Sequence, residues 1–265
     1  MRGPYRPVLP MKLTVLIPAY NERHSIAQCL VRVVRALPEV EKEIIIVDDC
    51  STDGTGQWLQ SSVAVGQVHQ RCAVTLDDAG SLVVTPGPLA GFELRVLRHA
   101  SNRGKGGALQ TALGAATGEV LVIQDADLEY DPDDWREMYD LIALRCVADV
   151  VYGCRFAGRT QRALQFHHYL ANRVISLAFS LLYDQALRDV ETCYKMFTRE
   201  VKDSLRLTAN DFGCEIELSA QIVRARRWRI YETAICYFGR THAEGKKINW
   251  RDGVKALWYL VRYRF

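Results

Sequence analysis

The chain has no close pair of cysteines, no leader-like apolar stretch at its start, no apolar run of membrane-spanning length and no internal repeat. Each absence removes a class of protein. The cysteines stand at 29, 50, 72, 146, 154, 193, 214 and 236, with no two in CxxC spacing, which argues against a zinc ribbon or a dithiol redox centre. They read as small, buried, reduced thiols, an expectation that points to the cytosol. The opening MRGPYRPVLPMK lacks the apolar core of a secretion signal. The longest apolar run, VISLAFSLLY at 174–183, falls short of the roughly 20 residues that cross a bilayer, and leaves only surface attachment open. One-sided charge is missing too. With 34 basic and 31 acidic residues the net charge is +3, too mild to indicate nucleic acid, and the basic excess gathers late, between Arg224 and Arg264.

What is present is alternation. LTVLIPAY (13–20) is a β-branched apolar run and reads as a buried strand. Asn21 stands as N-cap for a helix with the stripe Ile26, Leu30, Val33, Val34 and Leu37, ended by Pro38. EIIIVDD (43–49), LRVLRH (94–99), EVLVIQ (119–124) and ADVVYG (148–153) read as further buried strands. A glycine-rich turn and helix follow the third strand, and a helix from Asp131-Pro132 to about Cys146 follows the fourth. Continuously apolar strands alternating with helices specify the α/β class, a mostly parallel sheet with helices on both faces. Residues 61–93 break the pattern and read as a hairpin or loop insertion. Beyond 155 come a basic, His-containing stretch, an apolar helix to about 183, DVETCYKMF, a helix near 214–226 and a strand near 229–237. The span 12–265 is expected to form a single domain in two halves, 12–155 and 156–265, the second closed by an amphipathic C-terminal helix.

In sheets of this class, ligands bind beyond the carboxyl ends of the strands. The polar clusters fall there: Tyr20-Asn21-Glu22, Asp48-Asp49, Asn102 to Lys105, and Asp125-Ala126-Asp127. Two aspartates on a tight turn repel and raise each other's pKa unless a cation lies between them. An oxygen-only set suits Mg²⁺ or Mn²⁺, which favours a phosphate partner and neutralises a departing diphosphate. Taken alone, such a pair is more often a turn or cap. Its placement beside three other polar strand ends is what favours the metal reading. NRGKGGALQ is not a P-loop, because Gly106 follows Lys105, and it is not a dinucleotide fingerprint, because Leu109 stands where Gly or Ala is required. It is either a closely packed helix start or an anion or ribose contact at a helix N-terminus.

In their order and spacing, IPAYNE, VDDCSTDGT, NRGKGGA, QDADLE and YGCRF resemble a family 2 glycosyltransferase of the GT-A fold. DVETCYKMF and RTHAEGKKINWRDGVKALW extend the resemblance towards dolichol-phosphate mannose synthases and bacterial polyprenyl-phosphate relatives, over all of 12–265 except the insertion. The resemblance implies a nucleotide-sugar-binding first half and an acceptor-side second half. It implies that Pro18, Tyr20 and Glu22 line the base and ribose pocket, that Val47 and Asp49 contact the base, and that Lys105 and Ala126 lie along the donor. Asp125 and Asp127 would hold the metal and the sugar-diphosphate. Glu129 stands where these synthases commonly carry Gln, and would add a third acid to the metal shell. Arg155, Arg240 and Lys246 would contact phosphates or acceptor.

The acceptor then decides whether a base is needed. A sugar or protein hydroxyl requires one, for which Asp189 and Glu191 are the candidates. A phosphate monoester, with a second pKa of about 6, requires cations instead. Such cations lie in 155–173 and in RTHAEGKK. The tail NWRDGVKALWYLVRYRF mixes Trp and Tyr with Arg and Lys, which suits a membrane interface or a helix packed on the domain's flank. The expectation is therefore a metal-dependent inverting enzyme, cytoplasmic and peripheral to the membrane or held by a membrane-embedded partner. It would move mannose or glucose from GDP-mannose or UDP-glucose to a polyprenyl phosphate. The rivals are a soluble transferase acting on a hydroxyl, and a catalytically silent nucleotide-sugar-binding subunit.

Overall fold

The computed structural model describes residues 10–62, 67–68, 71–163, 166–240 and 250–265. The first strands are β1 (Leu13–Ala19) and β2 (Lys42–Asp48), joined by α1 (Ile26–Arg35). Every residue of β2 is buried, as expected for a central parallel strand covered on both faces. The α1 stripe is buried as its periodicity requires. Asn21 does not cap α1, however. It takes φ +53°, and its Oδ1 accepts from the Thr52 N–H at 2.8 Å, so that the turn after β1 is tied to the turn after β2.

After α2 (Thr55–Ser62) comes the insertion, built of the two-residue edge strand β3 (Gln67–Val68) and a separate antiparallel hairpin of β4 (Cys72–Leu76) and β5 (Leu82–Pro86). The hairpin is not a free loop: Cys72, Val74 and Leu82 join the core, and Arg35 of α1 donates to the Val74 carbonyl at 2.9 Å. The main path resumes with β6 (Phe92–Arg98), α3 (Gly104–Ala115) and β7 (Val120–Ile123). A 3₁₀ turn (Pro132–Asp134), α4 (Trp135–Tyr139) and a π-turn (Asp140–Leu144) then lead to β8 (Val150–Cys154). The second half holds α5 (Phe166–Tyr183), β9 (Lys195–Thr198), α6 (Arg199–Ser204), α7 (Cys214–Arg224), β10 (Ile230–Ala234) and α8 (Trp250–Arg262).

The main sheet has eight strands in the order β10-β8-β9-β7-β1-β2-β6-β3. All neighbours are parallel except β9, antiparallel to both β7 and β8, and the edge strand β3. The α/β, mostly parallel expectation is met. The departure is β9, which sequence patterning did not reveal as a strand because it carries a lysine inside a four-residue apolar run. Lys195 is wholly buried there, its charge met by Glu215 of α7.

Candidate active site

β1, β2 and β7 run side by side and end together, and the polar turns after them converge. Asp125 and Asp127 lie on the turn after β7, about a fifth exposed. Burial, then the negative charges of Asp125 and Asp127's other neighbour Glu129, push the Asp127 carboxyl up to about 7, with Arg240 opposing. Four carboxylates, Glu22, Asp125, Asp127 and Glu129, face two cations there. Lys105 Nζ lies 2.7 Å from Asp125 Oδ1, and Arg240 Nη2 lies 2.8 Å from Asp127 Oδ2.

Arg240 is 113 residues away from Asp127 and reaches it because its loop is pinned at several points. Asp134 accepts from the Cys236 N–H at 2.6 Å, and the Phe238 N–H donates to the Glu129 carbonyl at 2.8 Å. Glu129 then binds both ends of the loop: Oε2 accepts from Tyr237 Oη at 2.7 Å, and Oε1 accepts from the Arg240 N–H at 2.9 Å and Nε at 3.2 Å. Glu22 Oε1 and Oε2 complete the cradle at 3.4 Å from Arg240. Glu129 thus anchors Arg240, and among the described residues no three His, Cys, Asp or Glu side chains cluster as a metal site. Glu22 faces Arg240 and the carboxylate turn.

The base-pocket residues also separate. Tyr20 is exposed and Pro18 partly so, at the mouth of the cleft. Val47 is wholly buried on β2, the strand between β1 and β6 in the sheet. Ala126 is buried as well. Asp49 is almost sealed: its carboxylate accepts from the N–H groups of Arg103 (2.8 Å) and Gly104 (2.7 Å) and lies 2.6 Å from His99 Nδ1. It fixes the glycine-rich turn.

That turn proves to be a close-packed helix start. The Gly106 and Gly107 N–H groups donate to the Asn210 carbonyl at 2.8 and 3.3 Å, and a Cβ at Gly106 would stand 2.1 Å from the Ala209 oxygen. The amides of Gly104, Gly106 and Gly107 are already bonded, and the charged group the turn presents is the Lys105 ammonium. Burial opposes its charge, but Asp125 and Glu215 hold Lys105 well above its usual range.

On the acceptor side, Arg155 turns inward. Nε and Nη2 grip Asp189 at 2.8 and 2.7 Å, Nη2 also donates to Asn172 of α5 at 3.0 Å, and the Tyr237 ring lies 5.2 Å from the guanidinium. Arg155 thus supports Tyr237, and through it Glu129 and Arg240, from below the cleft. Asp189 is fully buried in this pair and is not free to take a proton from a ligand. Glu191 is the carboxyl that remains, pushed up to about 7 by burial, with Arg155 opposing and Asp189 adding to the rise. Lys246 lies outside the described residues. Sequence reading overlooked Tyr237, Lys195 and the part played by Glu215. The only signal for the last two was a charge inside an apolar run, YKMF and CEIELSA.

The chain is similar to several known transferases. An undecaprenyl-phosphate mannosyltransferase of Micrococcus luteus is 27% identical over 89% of this chain and 87% of its own length. The glycosyltransferase AglJ of Haloferax volcanii is 27% identical over 81% of this chain. The chain spans 59% of AglJ's length, and the same share of a Pyrococcus furiosus dolichol-phosphate mannosyltransferase. Among solved structures, glucosyl-3-phosphoglycerate synthase from Mycobacterium tuberculosis, in complex with Mn²⁺, UDP-glucose and phosphoglyceric acid, superposes with a TM-score of 0.66. It is 16% identical, and the match covers 96% of this chain and 80% of the other, so it speaks for a shared GT-A fold alone. The family model for glycosyl transferase family 2 matches residues 14–205, most of the sheet and the whole carboxylate turn, and the chain is a member of that family.

Proposed function

We propose that the protein is a divalent-metal-dependent inverting transferase. It would carry a hexose from a nucleoside diphosphate sugar to a polyprenyl phosphate at the cytoplasmic face of a membrane. The observation that carries this reading is the Asp125–Asp127 turn at the carboxyl ends of β1, β2 and β7, with Lys105 and Arg240 against it. Two hard oxygen donors with excess negative charge fit Mg²⁺ or Mn²⁺, which when bound neutralises charge on the departing diphosphate. Lys105 and Arg240 hold that diphosphate in line, Glu129 and Glu22 keep Arg240 aimed, and Arg155 keeps the acceptor side rigid. The acceptor phosphate is already anionic and attacks the anomeric carbon without a base. The M. luteus relative's name supports that acceptor class.

A lipid surface is supported by where apolar side chains are exposed. Of the fifteen large ones that are exposed among the described residues, ten lie on α5 and on α8 with its tail. Tyr183 of α5 donates to the Leu260 carbonyl of α8 at 2.9 Å, so the two helices pack against each other. Phe166, Leu170, Val174, Leu177 and Leu181 make one stripe along α5, which carries no acid and exposes Arg173 next to Val174, while Arg262 is exposed on α8. An apolar stripe with a cationic border suits an anionic bilayer. Leu177 and Leu181 are 61% and 76% exposed, so the double Leu→Glu variant is expected to fold normally. Its partition onto phosphatidylglycerol vesicles is expected to fall roughly 10²-fold, measured by co-sedimentation. Unchanged partition would remove the bilayer reading of this face.

Transfer is tested by incubating the protein with Mg²⁺ or Mn²⁺, a polyprenyl phosphate and labelled GDP-mannose or UDP-glucose, and then extracting the lipid. Label in the lipid, lost with EDTA, is the expected result. Glu191 favours one competing reading, because a half-buried carboxyl pushed up to about 7 is suited to act as a general base for a hydroxyl acceptor. Under the phosphate reading Glu191→Gln keeps transfer within about tenfold. A loss of about 10²–10⁴ would move the assignment to a hydroxyl acceptor.

A further inference from the structure

Behind the carboxylate turn lies a chain of alternating charge. Asp125 is paired to Lys105 at 2.7 Å, and Lys105 to Glu215 Oε1 at 3.0 Å. The other oxygen of Glu215 is paired to Lys195, whose ammonium also donates to the Thr192 carbonyl. The four side chains come from the β7 turn, α3, α7 and β9. Glu215 and Lys195 are buried, so only the Asp125 end opens to the cleft. Lys105 therefore has two anions within reach, one fixed in the interior and one shared with whatever enters the site.

Resting on the function proposed above, we infer that Lys105 couples metal to diphosphate. In the empty site the ammonium satisfies Asp125, and a divalent ion arriving alone competes with it for that oxygen. A nucleoside diphosphate arriving alone meets a lysine already committed to two carboxylates. When both arrive, the ion takes Asp125, and Lys105 keeps Glu215 and turns its freed donors to the phosphate oxygens. Every charge is then paired, and each ligand raises the affinity for the other by the same factor. Arg240 does not share this role, because Glu129 and Glu22 hold it when Asp127 is taken. The buried Lys195–Glu215 pair is what prevents Lys105 from collapsing into the interior once Asp125 is lost to it.

The test reads Mn²⁺ binding by electron paramagnetic resonance, with and without UDP or GDP, in the wild type, Lys105→Gln and Lys105→Arg. In the wild type, nucleotide is expected to tighten Mn²⁺ about 100-fold. In Lys105→Gln, Mn²⁺ alone binds about tenfold more tightly, because its competitor is gone, and the enhancement by nucleotide falls to about tenfold or less. Lys105→Arg retains the charge and restores most of the coupling. A merely structural lysine would not tighten Mn²⁺ in any variant. Equal coupling in wild type and Lys105→Gln, or weaker Mn²⁺ binding in Lys105→Gln, would overturn the inference and leave the metal site standing. Absence of Mn²⁺ binding to the wild type even with nucleotide would overturn the proposed function itself.

Discussion

Asp127→Asn is expected to abolish sugar transfer and at the same time to stabilise the metal-free protein. The carboxamide keeps the acceptor for the Glu129 N–H, 3.1 Å from Asp127 Oδ1, and Arg240 retains Glu129 and Glu22, so the loop stays in place. What disappears is a charged ligand. Charge stabilisation by a bound metal is worth several kcal/mol in the transition state, so the loss in kcat is expected to be at least about 10³-fold. The stability effect has the opposite sign. Asp127's folded pKa is raised from 3.8 to about 7, so between those values the folded state binds more protons than the unfolded state. Stability therefore falls as pH rises from about 4 to 7, and at neutral pH the ionised carboxyl disfavours folding. The neutral amide removes that term. Thermal melts in EDTA are expected to show a higher Tm for Asp127→Asn than for wild type at pH 7, with the difference vanishing near pH 4. An inactive variant that melts lower at pH 7 would mean that the residue supports the fold rather than a cation.

Removing Asp189 is expected to have the largest effect on the fold. Its carboxylate is fully buried, takes two guanidinium nitrogens and the backbone N–H of Arg155, and leaves Arg155 without its ion-pair partner when deleted. Breaking a buried pair from one side costs about 3–5 kcal/mol, because the surviving charge stays desolvated. For a chain of this size that corresponds to a fall in Tm on the order of 10 °C for Asp189→Ala. The double variant Asp189→Leu with Arg155→Met is expected to recover much of the loss, since it buries no charge. It is not expected to recover transfer, because Tyr237, and with it the Glu129–Arg240 cradle, loses the support below it. Recovery of both would show that Arg155 only balances Asp189; recovery of neither would show that the pair specifies the local fold.

Much of this architecture is present in local sequence. Continuous apolar runs identified β1, β2, β6, β7 and β8, and a stripe at helical spacing identified α1, because burial on one or both faces imposes its own period on neighbouring residues. The carboxylate turn was equally legible. Polar residues placed directly after buried strands collect at one edge of a parallel sheet whatever else the chain does. Fully buried strands are silent about which face each side chain takes, and only the structure shows Val47 of β2 to be wholly buried.

The pairings that make the turn a site were decided only by tertiary structure. Arg240 meets Asp127, Lys105 meets Glu215 and Arg155 meets Asp189 across separations of 113, 110 and 34 residues. Nothing in local periodicity encodes which distant charge will neutralise which. That follows from the low dielectric of the interior, where each buried ion must find a partner, and from a strand order in which β9 enters antiparallel between β7 and β8. The sequence by itself determined the class of fold and the edge at which its polar turns collect. The tertiary structure decided which acids the protein itself occupies, Asp49, Glu129 and Asp189 among them, because each is met by groups that only folding brings beside it.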